Sequence, residues 1–532
     1  MGIPDYEFMY LVFPEQHYMK IFKNRALISL ILSFSTFQLA AQQKTYNITA
    51  YGAKADGKTN NTAAIQSAID KASANGGGRV LVPAGKFVTG VIEIKTGVEL
   101  HLAANAVLLA TTKRIDYGPE KASALIVADG QQNIGITGPG TIDGQAGLLI
   151  KDIYVMLRNG SLKDQEWQQY NEWGQMRPEE NNRPQLILFR NCKDISIKKV
   201  TIKNGLCWIQ NYQSCTNMVI DSINVQSNTF LNNDGIDLVD CKNVKLTNSN
   251  FNVADDGICL KSHDPKGLCE NIYIANCRVR SSASAFKMGT ASFGGFKNIT
   301  VRDIYVYNTF RSAIALETVD GGILEDIDIR GVTAKNTGNA IFIRLGKRRK
   351  NVPPGRIKSV YIGNVKVQVP AGKPDAGYQM EGPRELFEHN IFPASITGIP
   401  GYPVSDITLE NIEITYNGNA KEYVAFSNID SLENIPEKAG DYPEFSMFGE
   451  LPAWGFYVRH ANNVKMKNVK LIATGDEYRA ACVFDDMDGL ELDGVKISKA
   501  AALPVILLNK VKRSSFREMQ LPSKSKEAIQ VK

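Results

Sequence analysis

The chain has 532 residues, of which 22% are charged and 43% hydrophobic, with a formal net charge of +6. That balance is too apolar for a disordered chain, and the positive charge is too dilute over this length for a nucleic-acid-binding surface. An acidic carbohydrate is the polyanion that such a weak charge still suits.

Lys20, Lys23 and Arg25 precede an apolar run from Ala26 to Phe37 and the small residues Ala40 and Ala41. This is the pattern of a secretory signal peptide, too short for a spanning helix. The expectation is a leader over residues 19–41 starting at Met19 and cut after Ala41, an upstream extension over 1–18 outside the fold, and a folded domain from 44 to 532. Export to the periplasm or the extracellular space follows, with no stable membrane insertion. Next comes TNNTAAIQSAIDKA from Thr59, an amphipathic helix with Asn61 or Thr62 as its cap, placed to plug the open end of a solenoid.

From Asp194 onward one nine-residue phrase returns: polar, then apolar-x-apolar, two spacers, and apolar-x-apolar again. It reads DISIKKVTI at Asp194, NMVIDSINV at Asn217, NVKLTNSNF at Asn243, NIYIANCRV at Asn271 and NITVRDIYV at Asn298, and goes on to GLELDGVKI at Gly489. The first apolar residues stand at 218, 244, 272, 299 and 327, so the steps are 26, 28, 27 and 28 residues. The alternation inside each phrase is the strand period of 2, and no 3.6 pattern accompanies it. Coils of this length that close short strands around an interior make a single-stranded, right-handed parallel β-helix, an all-β fold with a helical N-terminal cap. The leading Asn or Asp predicts a side-chain ladder along the turns. Loop insertions are expected near 145–184, 368–404 and 417–460. The first holds Trp167, Tyr170 and Trp173, and the second Tyr378, Arg384, Phe387 and His389. Of the eight cysteines, seven fall between Cys192 and Cys277, and Cys192, Cys215 and Cys241 recur at one place in the repeat, which favours buried free thiols over bridges.

The strand before each phrase forms a second column: DGIDL from Asp234, DGICLKS from Asp256, SAFKMGT from Ser284, SAIALET from Ser312 and NAIFIRL from Asn339. Its third and fifth places are apolar and must face inward, so Asp237, Cys259, Lys261, Lys287, Glu317, Phe342 and Arg344 point outward. Neighbouring coils lie about 4.8 Å apart, which stacks Asp234 against Asp256 with Asp255 alongside. Repulsion among three close carboxylates raises at least one pKa, the condition for pairing a proton donor with a base in glycoside hydrolysis. Turn capping or calcium binding by these aspartates is the alternative that the pattern leaves open.

The run NNDGIDLVDCKNVKLTNSNFNVADDGICLKS from Asn232 resembles the core signature of family 28 glycoside hydrolases, the polygalacturonases, with their phrases N-T-D-G-I-D and D-D-x-I-x-x-K-S. A looser similarity runs from YGAKADGKTNN at Tyr51, through GPGTIDG at Gly138, to about Val367. The resemblance implies a pectate-lyase-like solenoid, a pectic poly- or oligosaccharide as substrate, inverting hydrolysis without a cofactor or metal, Asp255 as general acid, and Asp234 with Asp256 activating water. Two family motifs are missing. Ala283, Ser284 and Ala285 stand where the family has G-H-G, and Ala315, Leu316 and Glu317 where it has R-I-K. Asn232, Asp237, Lys261, His263, Lys287, Glu317 and Arg344 are the substrate-binding candidates, with Lys287 or Arg344 replacing the absent cations and His263 the absent histidine. The basic run Lys347 to Lys350 and Trp208 are secondary candidates. A monomer is expected. A lyase using a basic residue such as Lys287 or Arg344, and a non-catalytic binding solenoid, are the rival readings.

Overall fold

The computed structural model describes residues 44–168, 177–383, 388–421, 423–424, 429–499, 504–522 and 528–532, and the leader segment falls outside them. Every strand pairing of the solenoid is parallel, coil upon coil. Met218 pairs with Val244, Val244 with Ile272, Ile272 with Ile299 and Ile299 with Ile327. The register continues through Val360, Ile407, Val464 and Leu490. The stretches from Val360 to Ile407 and from Ile407 to Val464 are therefore single coils with insertions. The fold is a right-handed β-helix, and its interior is one continuous apolar stack.

The leading residue of each phrase explains how the chain turns without strain. Asp194, Asn217, Asn243, Asn271, Asn298, Asp326, Asp406 and Asn463 all have φ between 51° and 57°, the left-handed region that Asn and Asp tolerate best among residues bearing a Cβ. Their side chains form the ladder: Asn217 donates to Asp194 at 2.9 Å, Asn243 to Asn217 at 3.1 Å, Asn271 to Asn243 at 3.0 Å and Asn298 to Asn271 at 2.7 Å. A second left-handed position at the spacer carries another ladder, with Asn276 donating to Asn248 at 3.3 Å and Asn468 to Asn411 at 2.8 Å.

Helix α1 (Thr62–Ala74) buries Ile65, Ala68, Ile69 and Ala72 against the first coils. Asn61 stands at its N-cap position, but its side chain accepts from Lys54 N at 2.7 Å instead of capping the helix. All eight cysteines are buried free thiols.

The insertions differ from the sequence reading in three places. The first opens with helix α2 (Ala146–Arg158), which buries Ala146, Leu149, Ile150, Ile153 and Leu157. That spacing is a helical stripe, hidden from a search for period-2 phrases. The second is shorter than 368–404, because Ala394–Thr397 is a coil strand pairing Phe342 with Ser395 and Ala394 with Phe456. The third ends before 460, since the next coil strand begins at Ala453.

Candidate active site

The outward-facing residues of successive coils form one file along the solenoid. Val127 pairs with Leu188, Leu188 with Asn211, Asn211 with Asp237, Asp237 with Cys259, Cys259 with Lys287, Lys287 with Ala315 and Ala315 with Phe342. Its first members line an open cavity of about 620 Å³ together with Trp208, Arg190 and His263. Its last members are covered: Phe342, Tyr457, Val483 and Leu507 pack beneath Leu432, Ile435, Phe448 and Leu451 of the third insertion. The middle carries the charged groups. These side chains point outward from the coil, yet Asp237 is fully buried and Lys261, Lys287, Glu317 and Arg344 are nearly so, because the insertion and the ion pairs close over them.

The three aspartates come together, and one oxygen from each of Asp234, Asp255 and Asp256 lies within 4.8 Å of the others. The coil stacking that brings Gly235 N to Asp256 O at 2.9 Å sets this proximity. Each outer carboxylate has its own lysine. Lys261 Nζ donates to Asp234 Oδ2 at 2.8 Å and also to Asp237 Oδ1, whereas Lys287 Nζ sits 3.1 Å from Asp256 Oδ2. Asp256 also accepts from Ser284 N at 3.1 Å, a backbone donor at the place of the missing histidine. The half-buried Asp255 accepts from Asp256 N at 2.8 Å.

This unequal pairing separates the acids. Burial, then repulsion by Asp234 and Asp256, pushes Asp255 up to about 8. Burial opposes ionisation of Asp256 too, but Lys287, Lys261 and Arg311 outweigh it and hold that carboxyl below the ordinary range. Burial and Asp234 push Asp237 well up, and its Oδ2 has no hydrogen-bond partner among the described residues. Glu317, 3.9 Å from Lys287, is pushed by burial to about 7. The trio has the donor set of a cation site, but ammonium groups already neutralise two of its members.

Removing the lysine on Asp256 should therefore move one side of the pH profile. In Lys287→Met, Asp256 loses its main counter-charge and its pKa rises, so the acidic limb of kcat/KM is expected to shift upward, while Lys287→Arg keeps the wild-type limb. Initial rates across pH, with thermal melting as the folding control, check this.

The other candidates divide. Trp208 belongs to the cleft, its ring 4.1 Å from Lys261 Nζ and its centroid 6.3 Å from that of His263. Burial and then Lys261 hold His263 below its ordinary range, and its backbone N–H donates to Asp240 at 3.0 Å. Asn232 is held from behind by Arg183, which donates to its Oδ1 at 2.7 Å. Arg344 is not brought to the aspartates: it donates to Gly398 O at 2.9 Å and Glu437 O at 2.5 Å beneath the third insertion, so Lys287 alone of the two proposed replacement cations reaches the trio. In the basic run, Arg348 pairs with Asp320 at 2.6 Å and Arg349 lies 4.7 Å from the Phe293 ring. Trp167 packs on Tyr154 of α2 and Tyr378 under Arg280, both anchoring insertions. His389 stacks on Phe392. Tyr170, Trp173, Arg384 and Phe387 lie outside the described residues.

Three groups escaped the sequence reading. Arg311 is buried, 3.0 Å from Glu444, and its charge acts on Asp255 and Asp256. It directly precedes the column motif at Ser312 and went uncounted because only the fourth and sixth places were scored. Tyr442, whose hydroxyl accepts from Lys287 at 3.0 Å, and Glu444 belong to an irregular insertion with no periodicity to mark them.

Residues 73–369 match the family model of the glycosyl hydrolases family 28. The chain belongs to that family. This family 28 member is a glycoside hydrolase. It is 26% identical over 416 residues to a probable polygalacturonase of Vitis vinifera, covering 72% of this chain and 77% of that one. It is 25% identical over 320 residues to an endo-polygalacturonase of Pectobacterium carotovorum subsp. carotovorum, covering 56% and 76%. Among solved structures, an exopolygalacturonase from Thermotoga maritima shares the fold with a TM-score of 0.58 at 22% identity, over 82% of this chain and 93% of that one. Its family supports hydrolysis of pectin or galacturonan.

Proposed function

We propose that the chain cleaves a galacturonic-acid-containing linkage with Asp255 as general acid and with Asp234 and Asp256 as the pair that activates water. The observation that carries this is the unequal ion pairing: Lys261 on Asp234, Lys287 on Asp256, and a proton left on Asp255 with its carboxyl at about 8. Asp255 protonates the glycosidic oxygen as the bond breaks, while the ionised pair draws a proton from water attacking the opposite face. Activity then falls as pH rises through about 8, because Asp255 loses its proton. It falls in acid as Asp256, held below the usual carboxylate range, becomes neutral.

The family resemblance points to inversion. Inverting carboxyl pairs stand about 6.5–9.5 Å apart, and the nearest oxygens here lie closer, within 4.8 Å. The reason is that Asp255 adjoins Asp256 in sequence and both stack one coil from Asp234. Nearest-oxygen distances also run shorter than separations of whole carboxyl groups. Proton NMR of the first-formed anomer tests the point: inverted product supports a water between the acid and its partners, and retained product assigns Asp234 or Asp256 as nucleophile. Release of reducing ends from pectic oligosaccharides, unaffected by chelator, tests hydrolysis. Unsaturated products lost on chelation would put a lyase in its place.

The covered end of the file favours removal of terminal residues, since among the described residues Phe342, Tyr457, Val483 and Leu507 are buried with Leu432, Ile435, Phe448 and Leu451. The apolar leader over residues 26–37 supports export. Among the described residues no helix is long and apolar enough to cross a membrane.

A further inference from the structure

We infer that the position against Tyr442, on the Lys287 side of the aspartate trio, receives a sugar ring that carries no carboxylate. The inference rests on the hydrolytic reading of the three aspartates and adds the identity of one binding position. The cations at this end are already engaged by the protein's own acids. Lys287 is 2% exposed and has Asp256 at 3.1 Å, Glu317 at 3.9 Å and the Tyr442 hydroxyl at 3.0 Å. Arg311 is 5% exposed and is paired with Glu444 at 3.0 Å. Lys261, on the far side of the trio, holds Asp234 and Asp237. A carboxylate entering here must displace one of these partners or lie beside Asp256 and Glu444 without a counter-charge, and its lost hydration goes unrepaid.

What this end offers is an aromatic face. Tyr442 is 49% exposed, with Lys287 Nζ 5.2 Å and the Arg311 guanidinium 5.7 Å from its ring centroid. Such a ring stacks on the C–H face of a pyranose and makes no demand for charge. The open end is different. Lys121 and Arg190 line the cavity, both are exposed, and among the described residues neither is ion-paired to a carboxylate. Glu93, Asp129 and Glu180 line the same cavity and are exposed too, so the contrast lies in Lys121 and Arg190 being without an ion pair there, and a neutral ring fits across the scissile bond at the closed side.

The test uses trigalacturonate and two analogues in which one terminal carboxyl group is reduced to a primary alcohol, at the non-reducing end in one and at the reducing end in the other. One analogue is expected to exceed the fully acidic parent in kcat/KM by about tenfold or more. Glu444→Gln, which releases Arg311, should narrow that gap by improving turnover of the parent. A parent preferred over both analogues, or a gap unchanged in Glu444→Gln, overturns the inference and leaves the hydrolytic reading standing. No cleavage of any of the three by the folded enzyme removes both.

Discussion

Asp255→Asn is expected to lower kcat by about 10³-fold, the scale of a lost general acid, without lowering the melting temperature. The side chain's contribution to the fold is small, for it accepts from the adjacent Asp256 N, and an amide oxygen accepts that bond equally well. The sign of the pH effect sharpens the test. A carboxyl raised to about 8 in the folded state from an ordinary unfolded value near 3.8 binds its proton more tightly when folded. Its ionisation therefore costs stability increasingly as pH climbs between those two values. Asparagine never ionises, so at pH 8 the variant should melt no lower than the wild type, and above it if the raised pKa is realised in full. Loss of fold with retained activity would make Asp255 structural.

Lys261→Met carries the largest expected cost in stability. The lysine is buried between Asp234 and Asp237, with Asp237 fully enclosed. Breaking a buried pair by deleting one partner costs about 3–5 kcal/mol, because the remaining charge is stranded away from water. Both Asp234 and Asp237 lose their ammonium partner here, so the variant should unfold at clearly lower denaturant. The double change Lys261→Met with Asp237→Asn removes one buried carboxyl left without its partner and should recover part of the difference. Urea melts of the three proteins check both statements, and a Lys261→Met variant as stable as the wild type would show that the pair contributes nothing.

The repeat was legible because it is physically redundant: each coil must place apolar residues at the same positions, so Met218, Val244, Ile272 and Ile299 repeat a constraint that a single strand would state once. The turn residues were legible for a related reason, since a left-handed φ at every phrase start admits few side chains other than Asn, Asp and Gly. The approach of Asp234, Asp255 and Asp256 followed from the same coil spacing. What the coils do not dictate was hidden. The column motif showed which way Lys287 and Arg344 leave the backbone, but not that an insertion would roof them, joining Tyr442 to the first and Glu437 to the second. Helix α2 was concealed by a stripe of a different period from the one that organises the rest of the chain.

Infrared difference spectroscopy of wild type against Asp255→Asn, recorded across pH, reads the protonation of this one carboxyl directly. A protonated-carboxyl band present at neutral pH, absent from the variant and titrating near 8 is the expected result. A residue 255 carboxyl that is already ionised at neutral pH would contradict its assignment as the acid.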